Sequence, residues 1–260
     1  MEWIPSFTLE QGDERKIDTP QGEVSIRFRG DSLLYRRIPP NRTDSNDTTE
    51  TVEKILMLDS LGKRCECSFM PVYPDRPVVF KLDDDLSVPP GENGFFCLAF
   101  EIAMAVSVQN QETIVEKILS RPRKNSYWGP PNEGLLTYQS RSGITTDPVE
   151  LMNTTGFEIA VVPVHYKNRR DQGSEVERIL VPLEELSLYK SEQGYLVFEV
   201  IELEHQEEFY QEPRPVKRAP NSLKTEVEQM LEAPAAPRSL FQKVRSLPRL
   251  DSLTNVFTGR

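Results

Sequence analysis

The thiol and imidazole groups of this 260-residue chain are three cysteines and two histidines. Cys65, Cys67, Cys97 and His165 together have the donor types of a zinc site. However, a C-x-C pair lacks the loop geometry that C-x₂₋₄-C gives, and no second pair follows. A hydrolase triad needs His165 or His205 beside a nucleophile and an acid, and no G-x-S-x-G elbow or comparable motif supplies them. Asp83, Asp84 and Asp85 have the charge of a calcium cluster, but contiguous carboxylates on an extended chain diverge, and no bidentate glutamate follows at loop position 12. Phosphate-cradling glycine loops are missing as well. The expectation is therefore no catalytic residue, no metal and no cofactor, with no reaction specified.

The chemistry that is left is recognition. In NSYWGPPNEGLLTY (125–138), Tyr127 and Trp128 stand before a stiff Gly-Pro-Pro corner that delivers the chain into the strand bearing Tyr138. Trp128 either closes the core where two sheets meet, with Tyr138 on the neighbouring strand, or belongs to an exposed aromatic corner that supplies contact area with few torsions to freeze. Near the C-terminus, Leu240, Phe241, Val244 and Leu247 recur at helical spacing, with Arg238, Lys243 and Arg245 around the same turns, until Pro248 breaks the pattern. Such a basic amphipathic stretch can fold back on its own body, dock in a partner's groove or lie on an anionic membrane. Tyr127, Trp128, Tyr138, Leu240, Phe241, Lys243 and Arg245 are the candidate binding residues.

Short runs rich in Val, Ile, Phe and Tyr, each closed by a turn signal, must position these groups. About a dozen strands are expected between residues 23 and 204, with no helix before residue 221. The clearest is FFCLAFEIAMAVSV (95–108). Its even positions, Phe96, Leu98, Phe100, Ile102, Met104, Val106 and Val108, are large and apolar, whereas the odd positions are mostly small. A slip of one residue would bury Glu101 and expose phenylalanines, so register is fixed. The run is too long for an ordinary strand, and a bend or bulge is expected within it. Pro163, inside GFEIAVVPVHY, implies an edge or a bulge. QEPRPVKRAP reads as an extended linker, and NSLKTEVEQMLE (221–232) as a short helix capped by Asn221 or Ser222.

These patterns predict an all-β protein: two immunoglobulin-like antiparallel β-sandwich units with a short helical C-terminal tail. The expected divisions are an N-terminal β domain over 1–120, a β-sandwich over 121–210, and a linker with the basic tail over 211–260. The net charge of −10 is polarised, because residues 211–260 hold 9 basic against 5 acidic side chains and the first 210 hold 22 against 36. A body this acidic repels phosphate backbones, which argues against a nucleic-acid partner. The opening MEWIPSFTLEQGDERK has an acid at position 2 and no apolar run, so no secretory signal is expected. An odd cysteine count fits reduced thiols, and the expected location is cytoplasmic.

Several blocks carry a resemblance: RPRKNSYWGPPNEGLLTY (121–138), VPPGENGFFCLAFEIAMAV (88–106), AVVPVHYKN with RILVP behind it, LSLYKSEQGYLVFEV (186–200) and KRAP before the tail. Over about residues 70–220 the chain resembles a family of domains of unknown function from archaea and some bacteria. Pro130 stands where that family is associated with an acidic residue, and Thr137 where it is associated with a cysteine. The resemblance implies no catalytic residues. Some relatives are encoded near small-conductance mechanosensitive channels, which implies a soluble accessory role. The resulting expectation is a non-catalytic cytoplasmic binding or accessory module with a protein partner, linked to a membrane channel or another membrane protein. The alternatives are an enzyme with a carboxylate-based site on a sandwich, or a membrane-peripheral adaptor using residues 238–260.

Overall fold

The computed structural model describes residues 6–19, 22–39, 51–57, 64–108, 113–119, 123–129, 134–153, 159–192, 195–205, 211–216 and 227–231. Strands dominate. The first ten are β1 (Ser6–Glu10), β2 (Glu14–Thr19), β3 (Gly22–Phe28), β4 (Ser32–Ile38), β5 (Val52–Met57), β6 (Arg64–Val72), β7 (Val78–Val88), β8 (Asn93–Glu101), β9 (Ala103–Val108) and β10 (Thr113–Ile118). After them come β11 (Lys124–Trp128), β12 (Leu135–Ser142), helix α1 (Pro148–Asn153), β13 (Ile159–Asn168) and β14 (Ser174–Val181). A 3₁₀ turn (Leu183–Glu185) leads to β15 (Leu188–Ser191), β16 (Leu196–Phe198), β17 (Val200–His205), β18 (Gln211–Val216) and β19 (Val227–Leu231). The protein is all-β and sandwich-like. Among the described residues, no helix is long and apolar enough to cross a membrane.

Four sheets form. Their strand orders are β2-β3-β4-β5, β1-β6-β9-β10, β11-β12-β7-β14, and a seven-stranded β18-β17-β13-β16-β15-β19 in which β8 also pairs with β13. Most pairs are antiparallel, but β12 runs parallel to β7, and β16 and β17 run parallel to β13. Strands from either side of residue 120 share sheets: β7 lies between β12 and β14, and β8 lies beside β13. One buried cluster runs from Leu9 to Leu203 and draws on all four sheets.

The long apolar run divides at Ile102, and its halves enter different sheets. β8 pairs with β13, whereas β9 pairs with β6 and β10. Its even-numbered face nevertheless stays in the common core from Phe96 to Val108. Pro163 sits in the interior of its sheet, not at an edge, and the ladder shows why that is tolerated. The N–H and C=O of its partner Cys97 are both used by Thr145 on the far side. The missing Pro163 donor therefore faces the other neighbour, where β16 hands over to β17 and Val162 and Pro163 have no ladder partner.

Three expectations about local structure are corrected. The helix expected over 221–232 is replaced, where described, by strand β19, whose backbone pairs with β15. An open sheet edge offers that segment a row of hydrogen bonds that an isolated short helix lacks. The linker at 211–216 is edge strand β18, where Pro213 and Pro215 are allowed because one side of an edge needs no donor. A helix does precede residue 221: α1 starts at Asp147-Pro148, where the Asp147 carboxylate accepts from the Val149 N–H at 2.9 Å.

Candidate functional site

The hairpin that carries NSYW and GLLTY decides which aromatics meet. β11 and β12 pair with Tyr127 opposite Leu136, Asn125 opposite Tyr138 and Trp128 opposite Leu135. Directly opposed residues share a face, and neighbours along a strand do not. Tyr127, Leu136 and Tyr138 therefore lie on one face with Asn125, while Trp128 lies on the other with Leu135. Two of the three expected aromatics are brought together and the third is separated from them. Tyr127 is 59 % exposed and Leu136 36 %, so the outer part of their face is open to solvent.

Trp128 packs half-buried against a satellite cluster of Val79, Leu135 and Leu180, and the Arg178 guanidinium lies over its ring at 5.7 Å. Thr137 shares this face and is fully buried, and its Oγ1 has no hydrogen-bond partner among the described residues. That is a site shaped for an apolar group or a thiol, not for a hydroxyl.

At the inner end of the tyrosine face, charged groups converge on Tyr138. Its hydroxyl donates to Asp75 Oδ1 at 2.8 Å, and Arg76 lies over its ring at 5.4 Å while Arg76 Nη1 donates to Asn125 Oδ1 at 3.3 Å. Arg123, the residue before β11, lies over the same ring at 5.3 Å and over Phe100 at 5.2 Å. Its Nε and Nη2 are buried without a hydrogen-bond partner among the described residues. Burial pulls the Arg123 guanidinium below the ordinary arginine value, against the pull of Tyr138, Asp75 and Glu101. The hydrogen bond from Tyr138 holds Asp75 below the usual carboxylate value and raises the Tyr138 phenol.

Glu184, in the 3₁₀ turn after β14, lies within electrostatic reach of Asp75. Burial pushes its carboxyl up to about 8, with the charges of Glu185 and Asp75 adding to the shift, and its Oε2 is buried without a hydrogen-bond partner among the described residues. Asp75, Arg76, Arg123 and Glu184 were not legible as site residues. They come from three separate segments, and the only local hint was the basic RPRK run entering the hairpin.

The remaining chemically capable residues stay apart. Cys65 and Cys67 place their sulfurs 3.9 Å from each other in the common core, whereas Cys97 belongs to a separate cluster with Val161, Tyr189, Tyr195 and Val197. All three are free thiols, and burial pushes Cys97 up to about 12. The His165 ring packs on Phe95 with centroids 4.9 Å apart. Among the described residues, no group of three His, Cys, Asp or Glu could hold a metal ion. Leu240, Phe241, Lys243 and Arg245 lie outside the described residues.

No curated protein and no solved structure matches the chain. A family model does, over residues 5–247, and nearly the whole chain therefore belongs to the family described as "Protein of unknown function (DUF432)".

Proposed function

We propose that the protein is a non-catalytic, cytoplasmic binding module that recognises a protein partner through the tyrosine face of the β11–β12 hairpin. The observation that carries this reading is the juxtaposition of exposed Tyr127 and Leu136 with Tyr138, Arg76 and Arg123 on one face of the β11–β12 hairpin. Tyrosine and arginine are the residue types that dominate binding hot spots, because they combine large contact area with directional polar atoms. Three buried free thiols suit a reducing compartment. The test is capture from native lysate by immobilised full-length chain. Leu136→Asp abolishes capture while Ile55→Asp, at a more open position on β5, leaves it intact. Equal capture by both variants contradicts the reading.

One observation favours a second reading, an enzyme with a carboxylate-based site. Asp75 is held low while Glu184 is pushed up to about 8, and two carboxyls displaced in opposite directions are the arrangement of a general base and a general acid. Under that reading, any turnover found in a hydrolase substrate screen disappears in both Asp75→Asn and Glu184→Gln; turnover that survives both substitutions rules it out.

A further inference from the structure

Arginine cannot escape burial by losing its proton, so a guanidinium with buried, unpartnered nitrogens calls for an anion. The chain contains its own example of the satisfied state. Arg37 directs its Nε and Nη2 at Glu116, with Nη2 to Oε1 at 2.9 Å and Nε to Oε2 at 3.2 Å, and both side chains are nearly buried. Arg123 leaves the same two nitrogens buried and empty. Asp75, which acts on Arg123 electrostatically, does not fill them. Asp75 is engaged by the Tyr138 hydroxyl on Oδ1, and its Oδ2 faces Arg76 Nε at 4.0 Å. The Phe100 and Tyr138 rings lie against the guanidinium, which leaves its in-plane Nε–Nη2 edge as the part that hydrogen bonding must satisfy.

We propose that this edge of Arg123 is a carboxylate-binding fork at the inner end of the tyrosine face. A planar group with two oxygens matches the two parallel donors, as Glu116 does for Arg37. The surroundings select a single negative charge over a double one, because Asp75 and Glu101 both act on Arg123 and would repel a phosphate dianion. The inference deepens the binding reading above and rests on it for the source of the carboxylate, which is an acidic group of the partner or a free small carboxylate.

The experiment uses full-length chain labelled with ¹⁵N in the arginine side chains, with the Arg123 Nε–H resonance assigned through Arg123→Lys. Acetate is titrated at constant ionic strength against chloride and phosphate. Acetate moves the Arg123 resonance saturably downfield, chloride does not, and phosphate does so more weakly. Without acetate, Arg123→Met melts at or above the wild-type temperature, because an unpaired buried charge has been removed. No acetate response, an equal response to phosphate, or a clear loss of stability in Arg123→Met overturns the inference. Capture from lysate then separates the sources. A fall of about tenfold or more in Arg123→Met assigns the carboxylate to the partner, and unchanged capture alongside the acetate response assigns it to a small molecule. Capture that still depends on Leu136 in the absence of any acetate response sinks the fork and leaves the binding reading standing.

Discussion

Arg37 and Glu116, 79 residues apart in sequence, form an ion pair whose side chains are 11 % and 12 % exposed, with Nη2 and Oε1 2.9 Å apart. Tyr35 donates its hydroxyl to the same carboxylate, and Lys54 Nζ donates to the Val115 carbonyl at 2.7 Å. These bonds join the sheet of β2 to β5 to strand β10 of the next sheet. Because the pair is nearly buried, removing one partner strands the other. Arg37→Met is expected to cost about 3 kcal/mol. Tyr35→Phe, which leaves the ion pair intact, costs about 1.5–3 kcal/mol. Urea melts of the single and double variants check this. Additive losses for Arg37→Met and Glu116→Gln would show that the two groups do not interact.

Glu184 makes stability depend on pH in a defined direction. Its folded value of about 8 lies above the ordinary 4.5, so between these values the folded state holds a proton that the unfolded chain releases. Its contribution is fully present below pH 4.5 and is lost as pH rises through 8, with a slope of at most about 1.4 kcal/mol per pH unit. Denaturant melts across this window should show the decline. Glu184→Gln, which keeps the shape without the charge, should flatten it; an identical slope in that variant assigns the effect elsewhere.

Thr137 is the converse case, a neutral polar atom buried with nothing to bond among the described residues. Thr137→Val keeps the shape and removes the unsatisfied hydroxyl, so it should stabilise the protein by about 1 kcal/mol, read as a higher urea midpoint at unchanged slope. A lower midpoint would mean that the hydroxyl has a partner in solution.

Trp128 can be isolated spectroscopically in a Trp3→Phe background, because the chain has two tryptophans. With Arg178 over its ring, iodide should quench its fluorescence more than caesium does, despite the net charge of −10. Arg178→Ala should remove the difference. Stronger quenching by caesium in the parent would place the guanidinium away from the indole.

How much of this was legible in the sequence depended on whether the information was local. The large face of residues 95–108 could be read because alternation needs only neighbours, and that face is continuous in the core. The division at Ile102 was foreshadowed by excess length, but which sheets receive the halves is decided by β6 and β13, far away in the chain. Strand β2, ERKIDT, gave no signal because it is a polar edge strand with little to bury. Residues 225–231, TEVEQML, suit a strand as well as a helix turn, and the edge of β15 decides between them. At the site, the types of Tyr127, Trp128 and Tyr138 were visible, but their division between two faces follows from hairpin register. Arg123, Asp75 and Glu184 acquire meaning only through burial and proximity, which no spacing encodes.

The claim that the tyrosine face of the hairpin is a recognition surface is tested most directly by photocrosslinking in the native host, with benzoylphenylalanine placed at Tyr127 or, as a control, at Ile55, 70 % exposed on β5. The account predicts a discrete adduct from position 127 that disappears when Leu136→Asp is added, and none from position 55. An adduct from position 55 alone, or from neither position, would contradict it.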